Sequence, residues 1–313
     1  MTPGLICMGE PMLELNAQPS DEAGRRLYLE GFGGDTSNVA IAAARQGALV
    51  AYASAVGRDD PGERFLALWR AEGVDVAAVR IDATRPTALY LVSHGAQGHS
   101  FHFYRTGSAA SAYGAADVPE AMIAASHMFY ASGISLGISD SAADAVLHAI
   151  AIARHNHVRV AFGTNYRPRL WPRARAAALT HAAVQQADIV FTSTEDAAAL
   201  AGTADAAAAA DFYRALGPAI VVVTMGEAGA LLAEGDTRTT IPVLPGPMAG
   251  PVVDATGAGD AFAGAFLARL LAGDEAPAAA RYASATAGLK VRGYGAVAPI
   301  PRAAEVVAAL ATC

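Results

Sequence analysis

A short glycine turn, Asp254-Ala255-Thr256-Gly257-Ala258-Gly259-Asp260, runs straight into an alanine-rich apolar segment, Ala261 to Leu271. That segment reads as a buried helix, and the turn then lies at its N-terminus. Gly257 and Gly259 lack Cβ, so the backbone there can turn tightly and come close to a ligand. Unpaired N–H groups at a helix start, backed by the positive end of the helix dipole, make a site for phosphate. Asp260 puts a carboxylate where that anion would sit. The repulsion is unfavourable unless the carboxylate has a task, such as taking a proton from an attacking hydroxyl. Taken alone, Gly-x-Gly-Asp also fits a plain turn with an aspartate cap. The string is no Walker A loop, since Gly-x4-Gly-Lys-Ser/Thr is absent, and no Rossmann fingerprint, since the third glycine is misplaced.

Far upstream, Gly31-Phe32-Gly33-Gly34-Asp35-Thr36-Ser37-Asn38 leads into a helical stretch from Val39 to Arg45. Adjacent glycines let a substrate lie against the main chain. Asp35 as acceptor and Asn38 as donor and acceptor suit sugar hydroxyls. In isolation this too fits a glycine turn with an Asp or Thr N-cap. Together and in this order, the two strings resemble the sugar and nucleotide signatures of ribokinase-like (PfkB-type) carbohydrate kinases.

The resemblance implies an α/β chain with the three-layer α/β/α ribokinase-like fold and a small β-sheet lid. It makes residues 1–313 a single kinase domain, with lid strands drawn from about 11–35 and 86–106. Asp260 would be the general base, and the backbone of Gly257, Ala258 and Gly259 the anion hole. Gly33, Gly34, Asp35, Asn38, Tyr90 and Tyr104 would fix the sugar. ATP and Mg²⁺ are implied, with a monovalent cation as a further candidate.

Between the signatures, strands and helices alternate. Strands are expected at Leu5 to Glu10, Ala48 to Val56, His127 to Ala131, Val158 to Phe162, Ala187 to Phe191 and Ile220 to Thr224. Helices are expected at Pro61 to Glu72, Ser139 to His155, within the alanine tract Ala204 to Ala210, and at Ala278 to Val291. Two short strands, Thr87 to Ser93 and Ser100 to Arg105, flank the turn-prone His94 to Gly98. Period-two alternation puts Phe101, Phe103 and Arg105 on one face, with His102 and Tyr104 on the other. His94, His99 and His102 have no acidic or cysteine partner and read as surface or packing residues.

One branch of the family is closer than the rest. Tyr104-Arg105-Thr106-Gly107-Ser108-Ala109-Ala110-Ser111 resembles a segment of 2-keto-3-deoxygluconate kinases, and so does Asn165-Tyr166-Arg167-Pro168-Arg169-Leu170-Trp171. A guanidinium donates two parallel hydrogen bonds to a carboxylate, and a neutral sugar gives no reason for one. Arg105 is therefore a candidate for the sugar's carboxylate, against the plainer alternative of a lid salt bridge. Arg167 is implied to contact both substrate and incoming phosphoryl group, and Asn165 to lie near the nucleotide phosphates. Where the family usually has aspartate, this chain has Gly163, and a Gly163→Asp variant with higher activity would show that the departure costs catalysis.

Ser193-x-x-Asp196 stands where most of the family has Asn-x-x-Glu. Asp196 is the candidate for holding Mg²⁺ through water, although a Ser N-cap with an acidic first turn fits equally well. Thr224, Gly226 and Gly229 match the family's nucleotide loop, and Ser284 a position near the adenine. The implied reaction is phosphorylation of 2-keto-3-deoxygluconate to 2-keto-3-deoxy-6-phosphogluconate. The alternatives are a kinase for a neutral sugar, such as a fructokinase or ribokinase, and a non-catalytic sugar-binding relative.

A formal charge of −7 argues against nucleic acid or an anionic membrane as a main partner. The partners expected are a small sugar acid, ATP and further copies of the chain in a homo-oligomer. No apolar run approaches the ~20 residues of a membrane helix. Glu10 and Glu14 interrupt the first apolar stretch, which lacks the basic start of a signal peptide. Cys7 and Cys313 share no metal-ligand spacing, and a reducing cytoplasm is the expected location.

Overall fold

The computed structural model describes residues 2–95, 98–245 and 250–312. Its strands, in chain order, are β1 (Leu5–Met8), β2 (Met12–Gln18), β3 (Leu27–Gly33), β4 (Val50–Gly57), β5 (Val74–Asp75), β6 (Val79–Asp82), β7 (Ala88–Gly95) and β8 (Gly98–Tyr104). They continue with β9 (Met128–Ser132), β10 (Arg159–Gly163), β11 (Ile189–Ser193), β12 (Ile220–Thr224), β13 (Ala230–Glu234) and β14 (Thr237–Ile241). The larger sheet runs β14-β13-β12-β11-β10-β9-β1-β4-β5, with β6 also on β4. From β12 to β6 its pairings are parallel, and the β13–β14 hairpin closes one edge antiparallel.

Strand β1 shows why helices cover both faces. Leu5 and Cys7 pack into one core and Ile6 and Met8 into the other, and all four are buried. A strand buried on both sides reads as a continuous apolar run, as β4 and β12 do. Helices Asp35–Arg45, Asp60–Ala71, Ala258–Leu271, Ala276–Lys290 and Ala303–Leu310 pack on the first face. Helices Asp140–His155, Arg173–Val184, Thr194–Leu200 and Ala206–Ala215 pack on the second. This is the expected three-layer ribokinase-like fold.

The lid is the second sheet, β3-β2-β7-β8. Its own core is small: Met12, Ala88, Tyr90 and Val92, with Phe101 packed against them. Its strands come from two stretches of the chain, β2 and β3 before the first signature helix and β7 and β8 after β6.

Element ends shift for local reasons. The first signature helix begins at Asp35 rather than Val39, because Gly34 adopts a φ of 108° and turns the chain there. The last signature helix begins at Ala258, directly after Gly257 in the left-handed region at φ 75°. Asp59 accepts a 2.9 Å bond from the Gly62 amide and starts its helix at Asp60. Residues 230–241 carried no expected element, yet Gly235 at φ 53° turns them into the β13–β14 hairpin.

Gly264 decides how the two signatures meet. A Cβ there would come within 2.5 Å of the Val39 carbonyl oxygen and 2.6 Å of the Ala42 Cβ. The bare backbone lets helix Ala258–Leu271 press against helix Asp35–Arg45, which carries their N-termini to one place.

Candidate active site

A cavity of about 1100 Å³ opens between the lid and the carboxyl ends of the central strands. Open α/β sheets bind ligands at these ends. Asp260 lies in the wall of the cavity, in the first turn of its helix. Its Oδ2 accepts a 2.8 Å bond from Asn38 Nδ2, so the two signatures touch directly. Burial and the neighbouring Asp35 charge push its pKa up to about 7, opposed by Asn38, Arg167 and Lys290. A carboxylate that titrates near neutrality is suited to a proton it must first take and then release.

Asp35 is almost fully buried. Its Oδ2 accepts 2.7 Å from Asn165 Nδ2, while Oδ1 has no partner among the described residues. Asn38 Oδ1 is likewise without one. A buried polar atom left unpaired is costly, and two such oxygens beside an open cavity are suited to a ligand rich in hydroxyls. Asn165 holds a left-handed φ of 34°, which asparagine tolerates better than most residues. Gly34 is required by its positive φ and because a Cβ would collide with the Glu10 carbonyl oxygen.

The lid contributes Tyr90, Phe101, Phe103 and Arg105 to the cavity. The Tyr90 hydroxyl donates to buried Glu14, and burial raises its pKa well above the usual phenol value. Phe101 and Phe103 stack at 6.2 Å between ring centres. Tyr104, one of the sugar-fixing candidates, points the other way. It is 61% exposed and lies outside the cavity, because the alternation that turns Phe103 inward turns Tyr104 outward.

Arg105 reaches the cavity but is paired with Glu10, which is buried and also accepts 2.6 Å from Ser108 Oγ. The lid salt bridge weighed for this residue is therefore present. Arg167 and Arg169 also line the cavity and form no ion pair among the described residues. Arg167 Nη1 donates 2.9 Å to the Tyr166 carbonyl, and Arg169 Nη1 donates 3.2 Å to the Phe101 carbonyl on the lid. Arg169 was not singled out in the sequence, though its place two residues after Arg167 offered the signal.

At the far end of the cavity, Ser193 caps helix Thr194–Leu200 by accepting 3.0 Å from the Asp196 amide. Asp196 Oδ2 accepts 2.7 Å from Thr164 Oγ1 and 3.1 Å from the Tyr166 amide. Burial raises its pKa against these bonds. The capping geometry and the carboxylate at the cavity edge are both present. Thr224 also lines the cavity, whereas Gly226, Gly229 and Ser284 do not. Gly226 and Gly229 shape the loop after β12 with φ of 57° and 90°, and Ser284 Oγ donates 2.9 Å to the Pro242 carbonyl.

Gly163 faces Tyr130. A Cβ at position 163 would lie 2.6 Å from the Tyr130 hydroxyl, which occupies the room an aspartate would need. Tyr130 is buried and lines the cavity, and nothing local in the sequence marked it.

A carboxylate at a glycine-capped helix start thus faces a lidded cavity on an α/β/α sheet. Residues 5–303 match the pfkB family carbohydrate kinase, and the chain belongs to that family. A 2-dehydro-3-deoxygluconokinase of Thermoproteus tenax is 35% identical over 312 residues, covering 96% of this chain and 93% of its own. A 2-dehydro-3-deoxygalactonokinase of Haloferax volcanii is 32% identical, covering 94% and 93%. Among solved structures, a fructokinase with bound ATP from Xylella fastidiosa superposes with a TM-score of 0.89 at 26% identity, covering 100% of this chain and 99% of that one.

Proposed function

We propose that this carbohydrate kinase transfers the γ-phosphoryl group of ATP to the terminal hydroxyl of 2-keto-3-deoxygluconate. The observation that carries the reading is Asp260, its pKa pushed up to about 7, at the mouth of a helix whose first residues line the same cavity. Relatives named for this substrate and its galactonate counterpart support a 2-keto-3-deoxy sugar acid.

Asp260 takes the proton of the hydroxyl as its oxygen attacks the γ-phosphorus. The bond from that phosphorus to the β,γ-bridging oxygen breaks, and ADP leaves. Amides of Gly257, Ala258 and Gly259 hold the charge gathering on the transferred group. Asp35 and Asn38 offer their unpaired oxygens to sugar hydroxyls, while Gly33, Gly34 and Tyr90 shape the floor. Arg167 guides the phosphoryl group and, with Arg105 and Arg169, reads the sugar's carboxylate. Mg²⁺ fits Asp196, whose Oδ1 remains beyond the two bonds to Oδ2, and one carboxylate suffices for an ion that keeps its water. When bound, it would neutralise charge on the nucleotide phosphates.

Residues 1–313 are read as one domain acting in the cytoplasm, and no helix among the described residues is long and apolar enough to cross a membrane. Exposed Leu27, Tyr28 and Leu29 on edge strand β3 support pairing with a second copy.

A second reading, a fructokinase-like activity on a neutral sugar, is favoured by one observation: Glu10 already neutralises Arg105. ADP release measured with 2-keto-3-deoxygluconate, its C4 epimer, fructose and ribose separates the two. Fastest turnover on a sugar acid is expected; fastest turnover on fructose would replace the first reading with the second.

A further inference from the structure

Lys290 is the last residue of helix Ala276–Lys290 and is 0% exposed. Lysine is almost never fully buried without a compensating partner. Its Nζ donates 2.9 Å to the backbone carbonyl of Asp254, the first residue of the glycine turn. The turn is tied down around that point. Asp254 Oδ1 accepts 2.8 Å from the Thr256 amide and Oδ2 accepts 2.8 Å from the Gly295 amide. The amide of Val253 donates 2.8 Å to the carbonyl of Val291, the residue after the lysine.

We propose that Lys290 is a positioning residue for phosphoryl transfer: its ammonium, sealed beneath the glycine turn, fixes the Asp254 carbonyl and supplies a permanent positive charge to Asp260 and the anion hole. The proposal rests on the kinase reading above. A neutral donor would satisfy one carbonyl equally well, so the bond alone does not explain a buried charge. Charge is what the surroundings select. Asp254, Asp260 and Glu14 all favour the ammonium, while burial lowers its pKa. Burial works against ionisation of Asp254 as well, and the Thr256 and Gly295 bonds with the lysine's charge hold its pKa below the usual value. Around Asp260 the charged groups are Asp35 on one side and Arg167 and Lys290 on the other. Without the lysine, Asp35 would repel the Asp260 carboxylate against a single cation.

The chain thus carries its own monovalent cation under the turn. The monovalent ion raised by the family resemblance is not needed to supply that charge, and turnover is expected to be unchanged when K⁺ is exchanged for Na⁺ or tetramethylammonium.

The test compares wild type with Lys290→Met, which removes donor and charge at similar volume, and Lys290→Gln, which keeps an N–H donor. Removing one member of a buried set of charges is destabilising, so cooperative melting checks that each variant folds. In both variants the acid limb of kcat/KM is expected to move up by about half a pH unit or more, as loss of a nearby cation dictates. Turnover is expected to fall roughly 10- to 100-fold in Lys290→Met and less in Lys290→Gln, and ADP to bind roughly tenfold more weakly to Lys290→Met. Should Lys290→Met not fold, Lys290→Gln decides by the acid limb. An unmoved limb with unaltered ADP affinity overturns the proposal, as does strong activation of the wild type by K⁺. Wild type that phosphorylates no sugar would sink the kinase reading instead, and ADP affinity would still judge the lysine.

Discussion

The two walls of the cavity are built to different standards. The wall that carries Asp260, the glycine turn and Asn38 belongs to two helices pressed together over a large core. Among the described residues the lid wall has a core cluster of four buried side chains, ends in edge strands β3 and β8, and exposes Tyr104 on its outer face. Proton and phosphoryl transfer demand positions held to a fraction of an ångström. Sugar selection and exclusion of water need a wall that can open and close. The rigid wall is therefore expected to govern turnover and the lid wall to govern which sugar is accepted.

The largest effect that would break this division is at Asp260. Asp260→Asn is expected to lower kcat about 10³-fold or more, with no change in sugar preference; steady-state assays on two sugars check both halves of the statement. Loss of Asn38 comes next. Asn38→Leu removes the bond that favours the ionised base, and kcat/KM is expected to fall roughly 10- to 100-fold, with the acid limb displaced upward.

Arg105→Lys is expected to reduce kcat/KM for the sugar acid about tenfold, through the lost bidentate fork, while a neutral sugar is little affected. Equal losses on both would mean that Arg105 serves only its pair with Glu10. Truncation to alanine is the poorer test, because it leaves Glu10 buried without its partner, at a cost of about 3–5 kcal/mol.

The pH dependence of stability sharpens the same comparison. The Asp260 pKa is raised from 3.8 to about 7 on folding, so the folded state resists ionisation. That resistance is absent below the unfolded pKa, grows as pH rises through the interval, and is complete above pH 7. Asp260→Asn is thus expected to raise the melting temperature by roughly a few degrees at pH 8 and not at pH 4; scanning calorimetry at both values decides it. The acid limb of wild-type kcat/KM should fall near pH 7 for the same reason.

The smallest effect is at position 163. The Tyr130 hydroxyl fills the space there, so Gly163→Asp is expected to gain no activity and to lose about 1–3 kcal/mol by overpacking. A gain in turnover would show that Tyr130 yields and that the missing carboxylate had been costly.

What could be read in the sequence was whatever is coded by neighbours along the chain. Both glycine signatures, the apolar strands and the lid's period-two pattern are local, and Asp260, Gly34, Asn38, Phe101 and Phe103 all line one cavity. Partnerships across the fold were not legible. Glu10 and Arg105 are separated by most of the lid, Tyr130 meets Gly163 from the neighbouring strand β9, and Lys290 ends a helix where a lysine ordinarily points to water. Tyr104 lies on the outer face that its period-two alternation gives it, outside the cavity lining.

The missing side chain at Gly264 welds two segments from opposite ends of the polypeptide into one mechanical part. A chimera that exchanged residues 35–45 with those of a relative, and left 258–271 untouched, would inherit a seam cut for a different neighbour. Grafts between such enzymes should therefore move both helices together, or Asn38 and the Asp260 carboxylate it bonds will no longer be in register.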